Sequence, residues 1–411
     1  MIADGARRGT PAPARARRWL RRNLFRGPVD SIVSVVGGVL AVYLLVRLAR
    51  FVLVTGRWEV VRVNLKLLMA GRYPTDELDR VAWALVGAAI VGGLLAGVVH
   101  RRQVQAGTSL RVGGGAAARA RDLVDRFWPL GLGVVLLLAL TDTVGPWLTA
   151  GGAVAGVVAG RLAGSRLPRR SHPAVIVTAV ATPFVAVWYI AAGEGWDGWG
   201  GMLLNVFMAL TAMILSFPLG VLAALGRRSR LPIVSALSTA YIELFRGAPL
   251  FVLLLMAGVA LQFFVPADTA PGQVTRAITV FTLFTGAYLA EIVRGGLQSL
   301  PRGQEEAARA LGLSPARVTF LVVLPQALRN VIPAQVGQLI SLFKDTTLAG
   351  AAIGLFEVLE VSQAVTQQDE FRGQRLLPEM LAFVGLLFWL GSYTMSRESQ
   401  RIERRLGVGE R

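Results

Sequence analysis

The sequence predicts an all-α, polytopic membrane protein with about ten transmembrane helices. Three observations support this fold class. Hydrophobic residues make up 54% of the 411 residues, which is above their usual share in a soluble domain. About ten apolar stretches are long enough, or nearly long enough, to cross the hydrocarbon core of a membrane. Most arginines lie in the connections between these stretches, as is typical of the charges that orient membrane helices.

Composition also argues against several classes of function. The net charge of +18 collects at the ends of apolar segments and forms no basic face interleaved with aromatic residues, so nucleic acid is not an expected partner. The chain has no cysteine, and its two histidines, His100 and His172, lie in arginine-rich connections. We therefore expect no metal site and no catalytic residues.

The predicted spans follow one another along the whole chain. Before the first span, residues 1–28 form an arginine-rich arm, and the apolar run that follows is too long for a signal peptide. The third and fourth spans are near the minimum length and share a tight turn, so one re-entrant pair is an alternative. The spans cover residues 31–54, 80–99, 127–142, 144–161, 174–193, 202–225, 233–265, 275–295, 331–354 and 378–396.

The charges of the short connections predict the orientation of the spans, because lysine and arginine collect on the cytoplasmic side. With the basic arm inside, both termini are cytoplasmic. The other inside segments are then the arginine-rich connections 100–126, 162–173, 226–232 and 296–330, together with the tail 397–411. Segment 55–79 mixes both signs of charge, and we expect it outside, as an interfacial helix on the membrane surface.

A change of composition near "EGWDGWGG" divides the membrane part in two. Spans before this stretch hold few polar groups away from their ends, whereas spans after it contain charged residues. We therefore predict an N-terminal membrane region at 29–196 with about five spans, and a second region at 197–396.

A polar helical hairpin, here called the elbow, interrupts the second region at residues 301–325. Pro301 opens its first helix, Gly312 suits a left-handed stop, and Ser314 with Pro315 supplies an N-cap and a first turn for a second helix. The first helix has a small apolar stripe with charged residues around it. Such a helix suits a groove of a partner protein. The stripe consists of Ala307, Ala308 and Leu311.

Two pairs of charges within the spans are each spaced three residues apart. Glu243 and Arg246 form one pair, and Glu291 and Arg294 form the other. A charge at the centre of a membrane helix costs roughly 2.5 to 3.5 kcal/mol, so each needs a partner or water. The spacing predicts that each pair neutralises itself on one helix face. Each pair is therefore either a structural group that neutralises itself or a gate in a pathway through the membrane.

A third group of polar residues lies in the ninth span, at "FKDTTL". Lys344 and Asp345 are adjacent, so they point in different directions and cannot simply neutralise each other. We expect the span to be interrupted at Gly337 and Gly350 and its polar residues to line a passage. The set is Lys344, Asp345 and Thr346, and the alternative is that these residues bond neighbouring helices.

The elbow carries a specific resemblance. "EAARALG" followed by "VVLP" resembles the cytoplasmic EAA loop of binding-protein-dependent ABC importer permeases. The stretches "YIELFRGAPL", "GAYLAEIVRGGLQSLPRGQ" and "SLFKDTTLAG" resemble the polar amino-acid permeases over residues 200 to 396. The full chain is similar to the general L-amino-acid permeases, and residues 1–195 carry the weaker part of that similarity.

The resemblance implies a five-helix type I ABC importer permease core at 197–396, in a bacterial inner membrane. It implies import of polar L-amino acids from a periplasmic binding protein into the cytoplasm. Its expected partners are two ATP-binding subunits, which carry ATP and magnesium, a second permease subunit, like or unlike this chain, and membrane lipid. The elbow would be the coupling helix, with contacts from Glu306, Ala307, Ala308 and Gly312.

The chain itself offers no nucleotide site of the P-loop type. Its only lysines, Lys66 and Lys344, do not follow the glycine that this motif requires. We therefore expect no cofactor in this chain, and a transport subunit that is not an enzyme. Two rivals remain: a membrane-embedded transferase, which would need a carboxylate or histidine cluster at a membrane face, and an ion-driven transporter, which would need no docking elbow.

Overall fold

The computed structural model describes residues 23–105, 128, 131–141, 144–193, 198–266 and 269–406. Helices dominate these residues, and the extended pairing within them is a single isolated bridge between Gly201 and Glu357. The predicted all-α class is therefore confirmed. The chain divides into two compact units, the first ending at Trp58 and the second beginning at Glu59.

The first unit contains one long apolar helix. Helix α1, Pro28–Arg50, continues into a π-helical turn, Phe51–Thr55, and together they are long and apolar enough to cross a membrane. Pro28 is at the start, where its missing N–H costs no hydrogen bond. After the helix ends, the Trp58 indole donates to the carbonyl oxygen of Val52 at 2.9 Å. This helix matches the predicted first span.

The N-terminal part of the second unit is built around two closely packed helices. Its elements are α2 Glu59–Val63, α3 Leu65–Ala70, α4 Leu78–Gln105, α5 Gly145–Arg166 and α6 His172–Ala191. Glycines let α4 and α5 touch through their backbones. A Cβ at Gly97 would collide with the Arg161 carbonyl oxygen, and a Cβ at Gly160 would collide with that of Ile90. Membrane helices commonly pack in this way, because small residues allow close approach.

The segment predicted as an interfacial helix is instead buried in protein. Val61, Leu68 and Tyr73 are fully buried, and α3 packs against the later helix Gly201–Arg227. The prediction of a helix lying on the membrane surface is therefore wrong. Its mixed charges gave no sign that a glycine, Gly71, brings the segment against the protein interior.

Four helices of the second half form a continuous bundle. The elements are α7 Gly201–Arg227, α8 Pro232–Gly247, α9 Leu250–Leu255, α10 Gln273–Gln298, α11 Arg302–Ala310, α12 Pro315–Arg317, α13 Leu324–Asp345, α14 Leu348–Ile353, α15 Val358–Thr366 and α16 Leu377–Leu406. Helix α7 packs on α10, α10 packs on α13, and α13 packs on α16. Small residues again set the spacing, since a Cβ at Gly220 would lie 2.7 Å from Cβ of Leu289.

Two of the predicted spans in the second half are broken. The span at 233–265 bends by 104° between α8 and α9, next to Pro249. The span at 331–354 breaks at Thr346–Thr347, between α13 and α14. Helix α13 runs through Gly337 and α14 contains Gly350, so the predicted positions of the interruption are wrong. The hydroxyl of Thr346 bonds back to the Phe343 carbonyl oxygen at 2.8 Å, which competes with continuation of the helix.

Five helices of the described chain are long and apolar enough to cross a membrane. The number is seven if two bent helix pairs, at Arg169–Ala191 and Pro232–Ala260, each count as one span. Residues 127, 129, 130 and 142 of the predicted third span lie outside the described residues. The predicted spans at 144–161 and 331–354 correspond to helices that are not among these candidates. A total of about ten spans stays a prediction.

The contact between α4 and α5 can be tested with two glycines of the same helix. Gly160→Leu places a side chain against the Ile90 backbone, whereas the Cβ of Gly151→Leu meets nothing within 4 Å. We expect Gly160→Leu to lower the stability of the purified protein by roughly 1–3 kcal/mol, as for other overpacked sites. We expect Gly151→Leu to stay within about 0.5 kcal/mol of the parent. Thermal unfolding in detergent measures both, and equal effects would contradict the packing.

Candidate functional site

The elbow is anchored by one face and exposes the other. Its first helix is α11, and Gly312 ends it in a left-handed conformation with φ of 78°. Ala308 is only 3% exposed and packs against the ends of the spans, whereas Glu306, Ala307 and Gly312 are exposed. The four proposed coupling residues therefore divide into one anchor and three surface positions.

The tip of the elbow presents an apolar side chain to its surroundings. Leu311 is 83% exposed, directly before Gly312. The turn is closed by the backbone, since the N–H of Leu313 donates to the Ala308 carbonyl oxygen. Ser314 occupies the N-cap position of α12, but its side chain makes no capping bond, so that part of the prediction is wrong.

A π-helical turn, Val318–Val323, connects the elbow to α13. Pro325 explains the wider turn, because it has no N–H to donate to the carbonyl oxygen four residues earlier. The Leu324 N–H instead donates to the Thr319 carbonyl oxygen five residues back, and the Gln326 side chain donates to that of Val322 at 2.9 Å. Two carbonyl oxygens of this connection, those of Thr319 and Val322, thus keep hydrogen-bond donors next to the proline.

Glu291 is the centre of an ion-pair cluster that joins three helices. Its carboxylate accepts from Arg294 at 2.7 Å and from Arg227 at 2.6 Å, and Arg246 lies at 3.7 Å. Arg227 also contacts Glu243, at 3.0 Å. Three guanidinium groups thus face two carboxylates, which ties the ends of α7, α8 and α10 together. We call these five residues the Glu291 cluster.

One of the two predicted charge pairs is correct and the other is not. Glu291 and Arg294 do pair within α10. Glu243 pairs with Arg227 of α7 instead of with Arg246, whose guanidinium lies over the Tyr288 ring at 5.6 Å. Arg227 was interpreted only as a topology signal, and no spacing links it to Glu291, which is 64 positions away.

The Glu291 cluster and the elbow border the same cavity. This cavity has a volume of about 660 Å³ and lies between the ends of α7 and α10 and the helix α11. Arg227 and Arg294 line it on the side of the spans, and Arg302, Glu306 and Arg309 line it on the side of the elbow. Two members of the Glu291 cluster, Arg227 and Arg294, therefore face α11 across this cavity.

The polar residues of the ninth predicted span have different surroundings. Lys344 is exposed, Asp345 is half-buried and Thr346 is fully buried. Within the described part of the chain, neither Lys344 nor Asp345 forms a salt bridge. Thr346 accepts a hydrogen bond from the Asn205 side chain at 3.0 Å.

Thr346 belongs to a second polar group, which we call the Asn205 cluster: Asn205, Thr346 and Glu357. The amide of Asn205 also donates to Glu357 at 3.1 Å, and its oxygen accepts from the Val358 N–H at 3.0 Å. The Glu357 carboxylate caps α15 by accepting from two backbone N–H groups. Glu357 follows the broken helix and lies in no candidate span, and burial raises its pKa to about 7.

Sequence reasoning missed Asn205 and Glu357. Asn205 is one polar residue in an apolar helix, and Glu357 lies in an acidic connection that was used only to assign topology. Their partners come from segments more than 140 positions apart. A polar side chain within a span needs a partner, which is the only signal that the sequence carries here.

The chain belongs to the family of binding-protein-dependent transport system inner membrane components, which are the permeases of ABC importers. Residues 216–408 match the family model of that description. The glutamate/glutamine/aspartate/asparagine transport system permease protein BztC of Rhodobacter capsulatus is 34% identical in an alignment that covers 96% of this chain and 95% of the relative. The inner membrane amino-acid ABC transporter permease protein YhdY of Escherichia coli is 40% identical over 59% of this chain and 67% of the relative.

A solved structure described as an amino acid ABC transporter with histidines is also similar. It shares 26% identity with this chain and covers 49% of it and 90% of the solved chain, with a TM-score of 0.44.

Family membership confirms the resemblance that the EAA motif indicates. The chain is a multi-pass permease subunit of the inner membrane. It works with ATP-binding subunits and is not itself the enzyme of the importer, as expected.

Removing the central acceptor of the Glu291 cluster tests its contribution to stability. We expect Glu291→Gln to destabilise the protein by about 2 kcal/mol, because it leaves partly buried guanidinium groups without their carboxylate. Glu305→Gln is the matched control, since Glu305 pairs with Arg309 on a largely exposed helix face, and this substitution should cost under about 0.5 kcal/mol. Thermal unfolding in detergent measures both variants. A neutral Glu291→Gln would show that the cluster does not hold the three helices together.

Proposed function

We propose that this permease imports polar L-amino acids into the cytoplasm, driven by ATP hydrolysis on partner subunits. The observation that carries the proposal is the elbow, a helix held by its buried face beside a charged cavity and otherwise exposed. The name of the Rhodobacter relative, which matches along nearly the whole chain, supports the substrate class of acidic amino acids and their amides. ATP and magnesium would bind to the partner subunits, and no cofactor is assigned to this chain.

The assembly proposed for transport contains more than this chain. Two ATP-binding subunits dock on the elbows of two permease subunits, of which one is this chain and the other is a like or unlike polypeptide. A periplasmic binding protein delivers the amino acid. The bias of arginine in the connections supports a cytoplasmic location for both the basic arm at 1–28 and the tail at 397–411.

The proposed division of the chain into domains is the one that the change of composition near residue 196 indicates. The transport core is 197–396 with the elbow at 301–325, and the membrane region 29–196 precedes it. Docking would use Glu306, Ala307 and Gly312 as surface contacts and Ala308 as the anchor. Movement of α11 would then reach α10 through the shared cavity and α13 through the π-helical turn.

The substrate passage is proposed to run past the break between α13 and α14. Lys344 is exposed and can meet a carboxylate, while Asp345 can meet an ammonium group. Thr346 would support these two by fixing the break through its bond to Asn205. Glu243, Arg246, Glu291 and Arg294 would form the charged gate at the other end of the bundle.

The coupling role is tested by two glycines of the elbow. Gly312 has a positive φ, whereas Gly303 lies within α11 with nothing within 4 Å of a Cβ. We expect Gly312→Val to distort the tip, so that ATP hydrolysis continues while amino-acid uptake falls by about tenfold or more, the cost of roughly 1–3 kcal/mol of backbone strain. We expect Gly303→Val to preserve both. Uptake and ATPase rates in proteoliposomes with all partner subunits measure this, and normal coupling in Gly312→Val would refute the role.

The passage is tested by changing the charge of Lys344. We expect Lys344→Met to abolish uptake without loss of membrane insertion, because the substrate carboxylate loses its cation, while Lys344→Arg keeps part of the activity. Uptake of labelled amino acids, with unlabelled amino acids as competitors, measures the effect and the substrate class together. Normal uptake by Lys344→Met would end the assignment. Uptake that survives ATP depletion would favour an ion-driven transporter.

A further inference from the structure

The segment from Glu59 to Tyr73, here called the strap, is buried to an extent that its sequence does not suggest. It contains α2, α3 and a tight turn, and Val61, Leu68 and Tyr73 are each fully buried. The strap lies before the region that matches the family model. It nevertheless packs on α7, α15 and α16, which belong to the proposed transport core.

Two glycines in left-handed conformations let the strap touch the start of α7. Gly71 has φ of 63° and Gly201 has φ of 54°. A Cβ at Gly71 would collide with the Gly200 backbone, and a Cβ at Gly201 would collide with the Leu68 carbonyl oxygen. Neither position has room for a side chain, and neither φ suits one. The two backbones are therefore in direct contact.

Two side chains at the end of the strap bind it to elements on either side. The guanidinium of Arg72 lies 4.8 Å from the centre of the Phe356 ring, within the range of a cation–π interaction. The hydroxyl of Tyr73 donates to the Ile190 carbonyl oxygen of α6 at 3.0 Å. Its ring also packs edge-on against Trp199. The strap thus joins the end of α6 to the start of α7 and to the segment before α15.

The contact leads directly to the Asn205 cluster. The Gly201 N–H donates to the Phe356 carbonyl oxygen at 2.9 Å, and Gly201 pairs with Glu357 in the isolated bridge. Glu357 is the residue that accepts from Asn205, and Asn205 in turn donates to Thr346 at the break. Each step from Arg72 to Thr346 is thus either a peptide bond between neighbouring residues or a contact shorter than 5 Å.

We propose that Arg72 and Tyr73 of the strap are positioning residues for transport. They hold Phe356 and the start of α7 in place, and through Glu357 and Asn205 they fix the helix break beside Lys344 and Asp345. The N-terminal part of the second unit is then a working part of the permease and not only an additional set of membrane helices. The transport role rests on the proposed function, whereas the contact between the strap and the break does not.

The absence of native cysteines provides a clean way to measure this contact. Ser362 of α15 and Ser216 of α7 are both fully buried, and each hydroxyl donates to the carbonyl oxygen three residues earlier. Ser362→Cys reports on the region that the strap contacts, because α15 packs on α3. Ser216→Cys is the matched control on the same fold. The readout is the rate of labelling by N-ethylmaleimide in the otherwise intact chain, without substrate or ATP.

We expect Arg72→Ala to speed labelling of Ser362→Cys by about 2- to 5-fold, from the usual strength of a cation–π pair, and to leave Ser216→Cys unchanged. Phe356→Leu should have the same effect, because it removes the same interaction. The double variant, Arg72→Ala with Phe356→Leu, should therefore be labelled no faster than the faster of the two single variants. Unchanged labelling of Ser362→Cys would overturn the proposal. An equal rise at both serines, which would indicate general loosening of the fold, would also overturn it.

Two further, conservative variants keep the proposal testable if Arg72→Ala or Phe356→Leu fails to fold. Phe356→Tyr keeps an aromatic ring, so Ser362→Cys should be labelled as slowly as in the parent protein. Slow labelling in Phe356→Tyr but not in Phe356→Leu would show that the contact depends on the ring and not on side-chain size alone. Tyr73→Phe removes only one hydroxyl and should give a smaller rise of the same sign. Uptake should fall in the order in which labelling rises, at equal amounts of inserted protein. A changed labelling rate without any amino-acid uptake would contradict the proposed substrate and leave the strap contact intact.

Discussion

The structure depends on one constraint: polar side chains inside an apolar helical protein must find partners, and the nearest partners lie on other helices. Glu291 is 14% exposed in its side chain and meets this constraint with three guanidinium groups. Asn205 is fully buried and meets it with Thr346, Glu357 and a backbone N–H. Because leaving any of these groups unpaired costs several kcal/mol in a low-dielectric interior, each cluster fixes the helices that contribute to it.

Helix α7 carries one member of each cluster. Asn205 lies near its start, and Arg227, its last residue, follows 22 positions later. At 1.5 Å per residue this separation is about 33 Å, close to the roughly 30 Å of a hydrocarbon core. The two clusters therefore lie at opposite ends of one long helix.

The sequence predicted features whose causes are local. The end of α11 at Gly312 and the pairing of Glu291 with Arg294 each depend on a few neighbouring residues. The sequence did not predict features caused by distant contacts. Arg227 pairs with Glu243 and Glu291 because α7, α8 and α10 pack together. At the break between α13 and α14, Thr346 is held by a hydrogen bond from Asn205 of α7. The strap was misplaced for the same reason, since its burial follows from glycines on two separate segments.

Charged residues are paired differently in the elbow and at the ends of the helical bundle. A docking helix must expose charges to its partner, yet charges near the spans must be neutralised. In α11 the charged pair of Glu305 and Arg309 is closed within the helix, and the helix is anchored by the buried Ala308 and by a hydrogen bond from the Gln326 side chain to Gln304 at 3.4 Å. In the Glu291 cluster the charges pair across helices. The elbow is therefore anchored mainly by apolar contact, while the ends of α7, α8 and α10 are joined by ion pairs.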